Sequence, residues 1–249
     1  MRSTQKNHGK NFFRWFVVIT VLMGIFLAVC VAYTQGLWRM NNPSLATYPV
    51  RGIDVSHHQG EIDWPTVSKD QVQFVYVKAT EGADFKDPAF LENWEGVYRN
   101  GMQVGAYHFF TLCKSGAEQA QNFTETIPPM TEAPDVFELL PPAIDLEFAG
   151  NCLARPAKED FAKELGIFIA VTQEHFHKTP VLYTTAAFYT RYLKDTDFES
   201  SPLWVRDVWG RPTAAQFQTM VFWQYAENGR VRGIKGPVDL NVKIPESAE

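Results

Sequence analysis

The amino-acid sequence predicts an α/β fold, a closed barrel of eight strands that follows an apolar N-terminal segment. Three observations predict it. Short apolar runs alternate with helical patterns over roughly 200 residues, eight of these runs are strand candidates, and the connections after Leu203 are too short for full helices. Such alternation is typical of a parallel sheet. A flat, doubly wound sheet is the alternative, although no glycine-rich phosphate loop follows the first strand.

The elements follow from the apolar pattern in chain order. The strand candidates are residues 50–56, 73–79, 102–110, 143–147, 181–184, 203–205, 220–225 and 238–241. The helix candidates are residues 88–100, 115–127 and 156–178, with a shorter one over 186–192. Pro88 and Pro156 suit the first turns of two of these helices, where a missing N–H costs nothing. The third helix repeats apolar residues at helical spacing, which indicates a face against the core.

An apolar stretch near the N-terminus predicts a transmembrane anchor over residues 15–33. It contains no charged residue, and about 20 apolar residues span a bilayer. The basic residues nearby are Arg2, Lys6, Lys10 and Arg14 before it and Arg39 after it. The positive-inside rule therefore predicts a cytoplasmic tail over residues 1–14 and a body in the periplasm or at the cell exterior. A cleaved signal peptide is the alternative, although its apolar core is usually shorter.

The rest of the chain divides into a linker over residues 34–49 and a barrel domain over residues 50–249. The protein has 23 Lys and Arg against 28 Asp and Glu, for a net charge of -5, and every acidic residue lies after residue 50. An acidic domain argues against a nucleic-acid partner and fits a small neutral substrate. We expect a monomer.

Polar side chains stand at the ends of the predicted strands. In α/β barrels the active groups gather at the carboxyl ends of the strands. The carboxylates there are Asp54, Asp145, Glu147 and Asp239, and the aromatic and amide side chains are Tyr107, Tyr183, Trp204 and Gln224. This combination suits a sugar chain, because aromatic faces stack on sugar rings and carboxylates act on the glycosidic bond.

The sequence Asp145-Leu146-Glu147 at the end of the fourth strand is the most specific of these signals. Residues i and i+2 of a strand point to the same side, so both carboxyls are expected to face the barrel mouth. Two like charges so close raise one pKa, which predicts Glu147 as a proton donor and Asp145 as its ionised or proton-sharing partner. The alternative is a solvated acidic strand end.

First and last strands are neighbours in a closed barrel, so Asp54 and Asp239 are expected to approach each other.

Other chemistries have weaker support. His57 and His58 are adjacent on an extended segment and are expected to point opposite ways, so we predict no metal and no other cofactor. His58 or His108 is expected to hydrogen-bond a carboxylate or the substrate, and Lys78 and Glu81 to form an ion pair. The Gly-x-Ser-x-Gly pattern of acyl-transfer hydrolases is absent.

Two cysteines follow neighbouring predicted strands. Cys113 comes after the third strand and Cys152 after the fourth. Neighbouring strand ends of a barrel lie within disulfide range, so we predict a bridge that clamps two rim loops. Two unpaired thiols are the alternative.

Five ordered blocks span residues 50–242: RGIDVSHHQGEIDW, FVYVKATEGADFKDPAF, NGMQVGAYHFF, AIDLEF and FWQYAENGRVRGIKGPVDLN. Together they resemble the family 25 glycoside hydrolases, which are N-acetylmuramidases, also called Chalaropsis-type lysozymes. The resemblance implies a TIM-like barrel of eight strands with about five helices. It also implies cleavage of the β-1,4 bond from N-acetylmuramic acid to N-acetylglucosamine in peptidoglycan.

The resemblance further implies roles for single residues. Glu147 resembles the general acid, Asp145 its partner, Asp54 the first-strand aspartate and Asp239 the late aspartate of the same pocket. The expected lining of the sugar groove is Tyr107, Tyr183, Trp204 and Gln224. One departure is Arg206, which stands where the family commonly has a small residue in a Trp-x-Ala pattern. Arg206 is expected to narrow the groove, or to pair with a carboxylate or with the lactyl group of the substrate.

Three other functions remain open at this point. The first is a membrane-tethered module that binds peptidoglycan without cleaving it, which the substitution at Arg206 leaves possible. The second is chitinase-like hydrolysis of N-acetylglucosamine polymers. The third is a metal-dependent hydrolase, which a chelator would inactivate.

Overall fold

The computed structural model describes residues 5–128, 139–213 and 217–245. Residues 1–4 of the predicted cytoplasmic tail and residues 246–249 of the predicted barrel domain lie outside the described residues. The chain divides into two compact units, Met1–Arg39 and Met40–Glu249.

The first unit is a long helix, α1, over Gln5–Thr34. Its apolar part, Asn11–Thr34, is 24 residues long. At a rise of 1.5 Å per residue this part is about 36 Å long, enough to cross a hydrocarbon core of about 30 Å. The predicted apolar helix is therefore confirmed. Both a membrane anchor and a signal sequence have such a helix.

The second unit is a closed barrel of eight strands, as predicted. A ninth strand, the two-residue β3, is added outside the barrel as a hairpin on β2. The strands are β1 (Arg51–Val55), β2 (Phe74–Glu81), β3 (Phe85–Lys86), β4 (Gln103–Phe109), β5 (Ala143–Leu146), β6 (Val181–Thr185), β7 (Leu203–Arg206), β8 (Met220–Gly229) and β9 (Val238–Lys243). The barrel closes because β1 pairs with both β2 and β9.

Five α-helices accompany the barrel in the described part of the second unit. They are α2 (Trp64–Val67), α3 (Phe90–Arg99), α4 (Gly116–Thr126), α5 (Lys158–Phe176) and α6 (Ala186–Phe188), and a π-helix continues α6 over Tyr189–Leu193. The start of α4 follows from its cap, because the Ser115 hydroxyl accepts from the Glu118 N–H. The end of α5 follows from His177, which takes a left-handed conformation.

The direction of β9 differs from the parallel sheet that the alternation of strands and helices suggested. β9 runs antiparallel to both β1 and β8. Only residues 230–237 connect β8 to β9, and a parallel crossover needs a dozen or more residues. The start of β9, rather than its end, therefore lies at the rim where the parallel strands end.

The core has two layers. The barrel interior is filled by an aromatic-rich cluster consisting of Phe74, Tyr76, Ala143, Val181, Tyr183, Trp204 and Phe222. A larger cluster lies between the strands and the helices. Two glycines make room for the interior rings, because a Cβ at Gly52 would meet Phe74 at 2.4 Å and one at Gly105 would meet Tyr76 at 2.5 Å.

Part of the predicted linker packs on the barrel. The Asn41 side-chain amide donates to the backbone carbonyls of Asp207, Gly210 and Tyr225 at 3.1–3.3 Å. Tyr48 is buried, with its ring at 6.0 Å from that of Trp223. Residues 40–49 thus belong to the folded unit, because their polar and aromatic side chains find partners there.

Candidate active site

One cavity at the barrel rim brings the predicted carboxylates together. Its volume is about 100 Å³, and its lining residues are Asp54, Tyr107, Asp145, Glu147, Tyr183, Trp204, Gln224 and Asp239. These are all of the predicted site residues except Arg206. They come from seven different strands and one loop, and they meet because the parallel strands end, and β9 begins, at the same rim.

Asp54 and Asp239 form the first half of the acidic cluster. They are direct partners in the antiparallel pairing of β1 and β9, so the predicted approach of the first and last strands is confirmed. Asp54 Oδ2 accepts hydrogen bonds from Asn241 Nδ2 at 2.7 Å and Gln224 Nε2 at 3.0 Å. Burial raises the pKa of Asp54, and these amide donors act against that rise. Burial and the neighbouring Asp54 charge raise the pKa of Asp239 well above its usual value. The hydrogen bond between the two carboxyls lowers the pKa of Asp54 and raises that of Asp239, which favours Asp239 as the donor in that bond.

The two amides that hold Asp54 are themselves fixed. Tyr183 Oη donates to Gln224 Oε1 at 3.0 Å, and Trp204 Nε1 donates to Asn241 Oδ1 at 2.8 Å. Because each amide oxygen is occupied by a donor, each NH₂ group must point towards Asp54. The network thus stabilises a negative charge on Asp54 beneath the cavity.

Trp204 forms the floor of the cavity rather than an open wall. Its side chain is only 2% exposed and stacks on Tyr76 with ring centroids 4.7 Å apart. Tyr183 is buried beside it, at 5.0 Å between ring centroids. Of the predicted aromatic lining, Tyr107 is the residue with partial exposure at the mouth.

Asp145 and Glu147 form the second half of the acidic cluster. Both line the cavity, while Leu146 between them is fully buried in the outer core, as the strand alternation predicted. Asp145 Oδ1 is inaccessible to solvent and has no hydrogen-bond partner among the described residues. Burial and the nearby charge of Glu147 raise the pKa of Asp145 well above its usual value.

Glu147 is poised to hold a proton near neutral pH. Burial raises its pKa to about 7, and the positive charge of Arg206 works against that rise. The negative charge of Asp54 adds to it. Glu147 thus exchanges its proton close to neutral pH, in the same cavity as the amide-held Asp54. A donor and a charge in one cleft are the two groups that glycoside hydrolysis requires.

Arg206 lies outside the cavity lining but acts on it through charge. It follows Trp204 by two positions on β7, so its side chain leaves the same side of the strand. Its guanidinium forms an ion pair with the Glu227 carboxylate. Sequence reasoning missed Glu227, because the pairing of β8 with β9 shifts register between Gln224 and Ala226 and strict alternation no longer applies there.

The expectations for the histidines are only partly met. The expectation that His108 contacts a carboxylate or the substrate is wrong. Its ring is fully buried, outside the cavity lining, and its two nitrogens contact Thr80 and Gln119. His57, rather than His58, contacts a carboxylate, with Nδ1 at 2.7 Å from Asp87 Oδ2.

Two further expectations concern ion pairs and metals. The predicted ion pair of Lys78 and Glu81 is present at 2.6 Å. In the ranges that the structure describes, no group of three His, Cys, Asp or Glu side chains is placed to hold a metal ion.

The raised pKa of Glu147 predicts a pH-dependent gain in stability on its removal. The ordinary pKa is 4.5 and the folded-state pKa about 7. The contribution of Glu147 to the free energy of unfolding is therefore complete below pH 4.5 and is lost as the pH rises through 7. We expect Glu147→Gln to raise the free energy of unfolding at pH 9 by about 2 kcal/mol relative to the parent protein, and to give no such gain at pH 4. Thermal unfolding at the two pH values checks this, with the exposed Glu159→Gln as control. An equal difference at both values would contradict it.

The comparisons with known proteins agree with this geometry. The profile of glycosyl hydrolases family 25 matches residues 53–234. The uncharacterized protein YegX of Escherichia coli K12 is 34% identical over 202 residues, covering 79% of this chain and 70% of YegX. Lysozyme M1 of Streptomyces globisporus is 34% identical over 203 residues, covering 78% of this chain and 68% of the lysozyme. The structure of a family 25 glycosyl hydrolase from Bacillus anthracis superimposes with a TM-score of 0.75 at 34% identity, covering 84% of this chain and 94% of that one.

Proposed function

Because the chain belongs to glycosyl hydrolase family 25, we propose that it is a lysozyme which cleaves the β-1,4 bond between N-acetylmuramic acid and N-acetylglucosamine in peptidoglycan. The observation that carries this proposal is the pairing of Glu147, with a pKa of about 7, and an amide-held Asp54 in one rim cavity. The similarity to a named lysozyme supports the choice of substrate.

The size of the cavity constrains how a glycan binds. A volume of about 100 Å³ is well below the 300–1,000 Å³ of ordinary ligand pockets. A sugar ring therefore lies across the mouth, against Tyr107, and directs one substituent into the cavity. In an N-acetylated sugar, the 2-acetamido group is the polar substituent of suitable size.

Bond cleavage begins with proton transfer from Glu147. Its carboxyl donates a proton to the glycosidic oxygen as the bond from that oxygen to the anomeric carbon breaks, so the leaving sugar departs as a neutral alcohol. The anomeric carbon gains oxocarbenium character. The ionised Asp54 stabilises this positive charge, and the amides of Gln224 and Asn241 hold that carboxylate in place without rearrangement.

Asp145 has a separate role in this scheme. Its carboxyl lines the cavity, where it can accept a hydrogen bond from the substrate. The acetamido N–H of the substrate supplies the donor, and the bond turns the acetamido oxygen towards the anomeric carbon. Substrate assistance and direct attack by water are both compatible with this arrangement. The anomer formed first, read by NMR, distinguishes them, because assistance retains the configuration and a single attack by water inverts it.

Product analysis tests the proposed function directly. The full chain in detergent is incubated with purified sacculi and with chitin, and the products are identified by mass spectrometry. We expect soluble muropeptides with reducing ends on N-acetylmuramic acid, at a rate unaffected by a chelator. Chitobiose from chitin would indicate a chitinase. Binding to sacculi without new reducing ends would indicate a non-catalytic module.

The ion pair of Arg206 and Glu227 predicts opposite shifts of the pH–rate profile. Activity falls as the pH rises through the pKa of the acid, because only the protonated Glu147 donates. Arg206 lowers that pKa and Glu227 raises it. We therefore expect Arg206→Ala to move the alkaline limb of kcat/KM to higher pH, and Glu227→Gln to move it to lower pH. The control is Arg232→Ala, at an exposed arginine paired with Asp70. Shifts of the same sign in both variants would contradict the assignment of Glu147.

The N-terminal helix supports a second part of the proposal. The apolar length of Asn11–Thr34 and the basic residues before it support a single-pass anchor, with its N-terminus in the cytoplasm and the barrel outside. Intact-mass measurement of the membrane fraction tests this. An uncleaved chain that resists alkaline extraction is expected, and a mature chain lacking the helix would show a signal sequence instead.

A further inference from the structure

Two loops beside the catalytic cavity are joined by a single side chain. One follows β4 and contains Cys113, and the other follows Glu147 and contains Cys152. Asn151 Oδ1 accepts from the backbone N–H groups of Leu112 at 2.9 Å and Cys152 at 3.0 Å. The Asn151 amide also donates to the carbonyls of Phe110 at 2.9 Å and Glu147 at 3.0 Å.

This shared acceptor brings the two cysteines together. The backbone nitrogens of Leu112 and Cys152 both reach one oxygen, so they lie no more than about 6 Å apart. Cys113 follows Leu112 directly, and its thiol lies close enough to that of Cys152 to interact with it. Both cysteines are free thiols, Cys113 exposed and Cys152 half-buried. The bridge predicted from the sequence is thus absent as a covalent bond, while the predicted proximity is present.

We propose that Cys113 and Cys152 are a redox-active pair that forms an intramolecular disulfide by exchange with a small-molecule or protein disulfide. The thiolate of the exposed Cys113 attacks one sulfur of the oxidant, and the released thiolate takes a proton. The Cys152 thiolate then attacks the mixed disulfide at the Cys113 sulfur and releases the second thiol of the oxidant. Two protein thiols are oxidised and one disulfide is reduced to two thiols.

A disulfide between Cys113 and Cys152 restrains the loop that begins at Glu147, the proposed acid. Asn151 already connects the Glu147 carbonyl to the loop after β4 through hydrogen bonds. Because Asn151 is half-exposed, water can compete for these hydrogen bonds. A covalent link between the same two loops also restricts the unfolded chain. Oxidation is therefore expected to stabilise the barrel without any rearrangement of the strands.

Exchange is expected to be slow at neutral pH. The hydrogen bond with Cys152 raises the pKa of the Cys113 thiol, and only the thiolate attacks a disulfide. The rate of bridge formation should therefore rise about tenfold per pH unit below that pKa.

Thiol counting on the full chain tests the proposal. The reduced protein in detergent is incubated with glutathione buffers of increasing oxidised fraction, and free thiols are titrated under denaturing conditions. The chain has three cysteines, so the count is expected to fall from three to one, with Cys30 remaining. Peptide mapping should show a peptide linking Cys113 to Cys152, and the oxidised protein should unfold about 5–10 °C higher than the reduced one.

Single-serine variants supply the matched control. Cys113→Ser and Cys152→Ser should each unfold at the temperature of the reduced parent, and neither should gain stability on oxidation. Three free thiols in fully oxidised glutathione, a stable mixed disulfide at Cys113 with Cys152 still free, or bridges only between two copies would each overturn the proposal. None of these readouts depends on glycan cleavage, so the result is independent of the proposed function.

Discussion

Replacing Glu147 with Gln is expected to reduce the release of muropeptides from sacculi by about 10²–10⁴-fold. Gln has nearly the shape of the acid but has no proton to give to the glycosidic oxygen. The remaining activity reflects the charge of Asp54 and the binding of the glycan, which the substitution does not remove. Initial rates of reducing-end formation at pH 6, where the parent Glu147 is mostly protonated, measure this effect.

The matched control is Glu159→Gln, at an exposed position in the first turn of α5. It makes the same chemical change outside the cavity and should keep the parent rate. Circular dichroism and pull-down with sacculi should show that Glu147→Gln folds and still binds glycan. Parent-like turnover in a folded Glu147→Gln protein would remove Glu147 as the acid.

Replacing Asp145 with Asn has the second-largest expected effect, a loss of about 10²–10³-fold in kcat. Asp145 Oδ1 has no hydrogen-bond partner within the described ranges, so the substitution breaks no hydrogen bond seen there for that atom. An amide oxygen accepts from the acetamido N–H of the substrate less strongly than a carboxylate, and that hydrogen bond favours the charged form of Asp145 against the raised pKa of the free protein. The loss is therefore expected in the reacting complex rather than in folding.

A modified substrate separates this role from a general electrostatic one. Sacculi in which the acetamido groups have been converted to free amines lack the acetamido oxygen that Asp145 is proposed to turn towards the anomeric carbon. The parent should cleave them slowly, and Asp145→Asn should add little further loss, because both changes remove the same interaction. An equal loss on both substrates would contradict the acetamido contact. Asp160→Asn, exposed on α5, is the control for the loss of one negative charge.

Much of the fold was predictable from local patterns. The apolar runs located all eight barrel strands, and the helical spacing located α3, α4 and α5 to within about two residues at each end. The hairpin strand β3 was missed, because two exposed residues carry no apolar alternation. The direction of β9 was also missed, since alternation says where a strand lies but not which neighbour it pairs with.

The part of the candidate site that follows from strand alternation and from barrel closure was predictable. Asp145 and Glu147 share a side because they are two residues apart, and Asp54 meets Asp239 because a closed barrel joins its first and last strands. The family resemblance supplied the expected roles. No local pattern marked Glu227 or Asn151, which act through partners that are 21 and 39 positions away in the chain.

Local patterns in the chain are enough to predict the apolar helix, the succession of strands and the carboxylates at their ends, because each of these depends on residues that are near one another in the chain. The closed barrel is needed to establish how the two aspartates share a proton, how far the acid's pKa rises and that the two neighbouring cysteines are free thiols. Those properties depend on burial and on distances between side chains from different strands, and these arise only when the barrel closes.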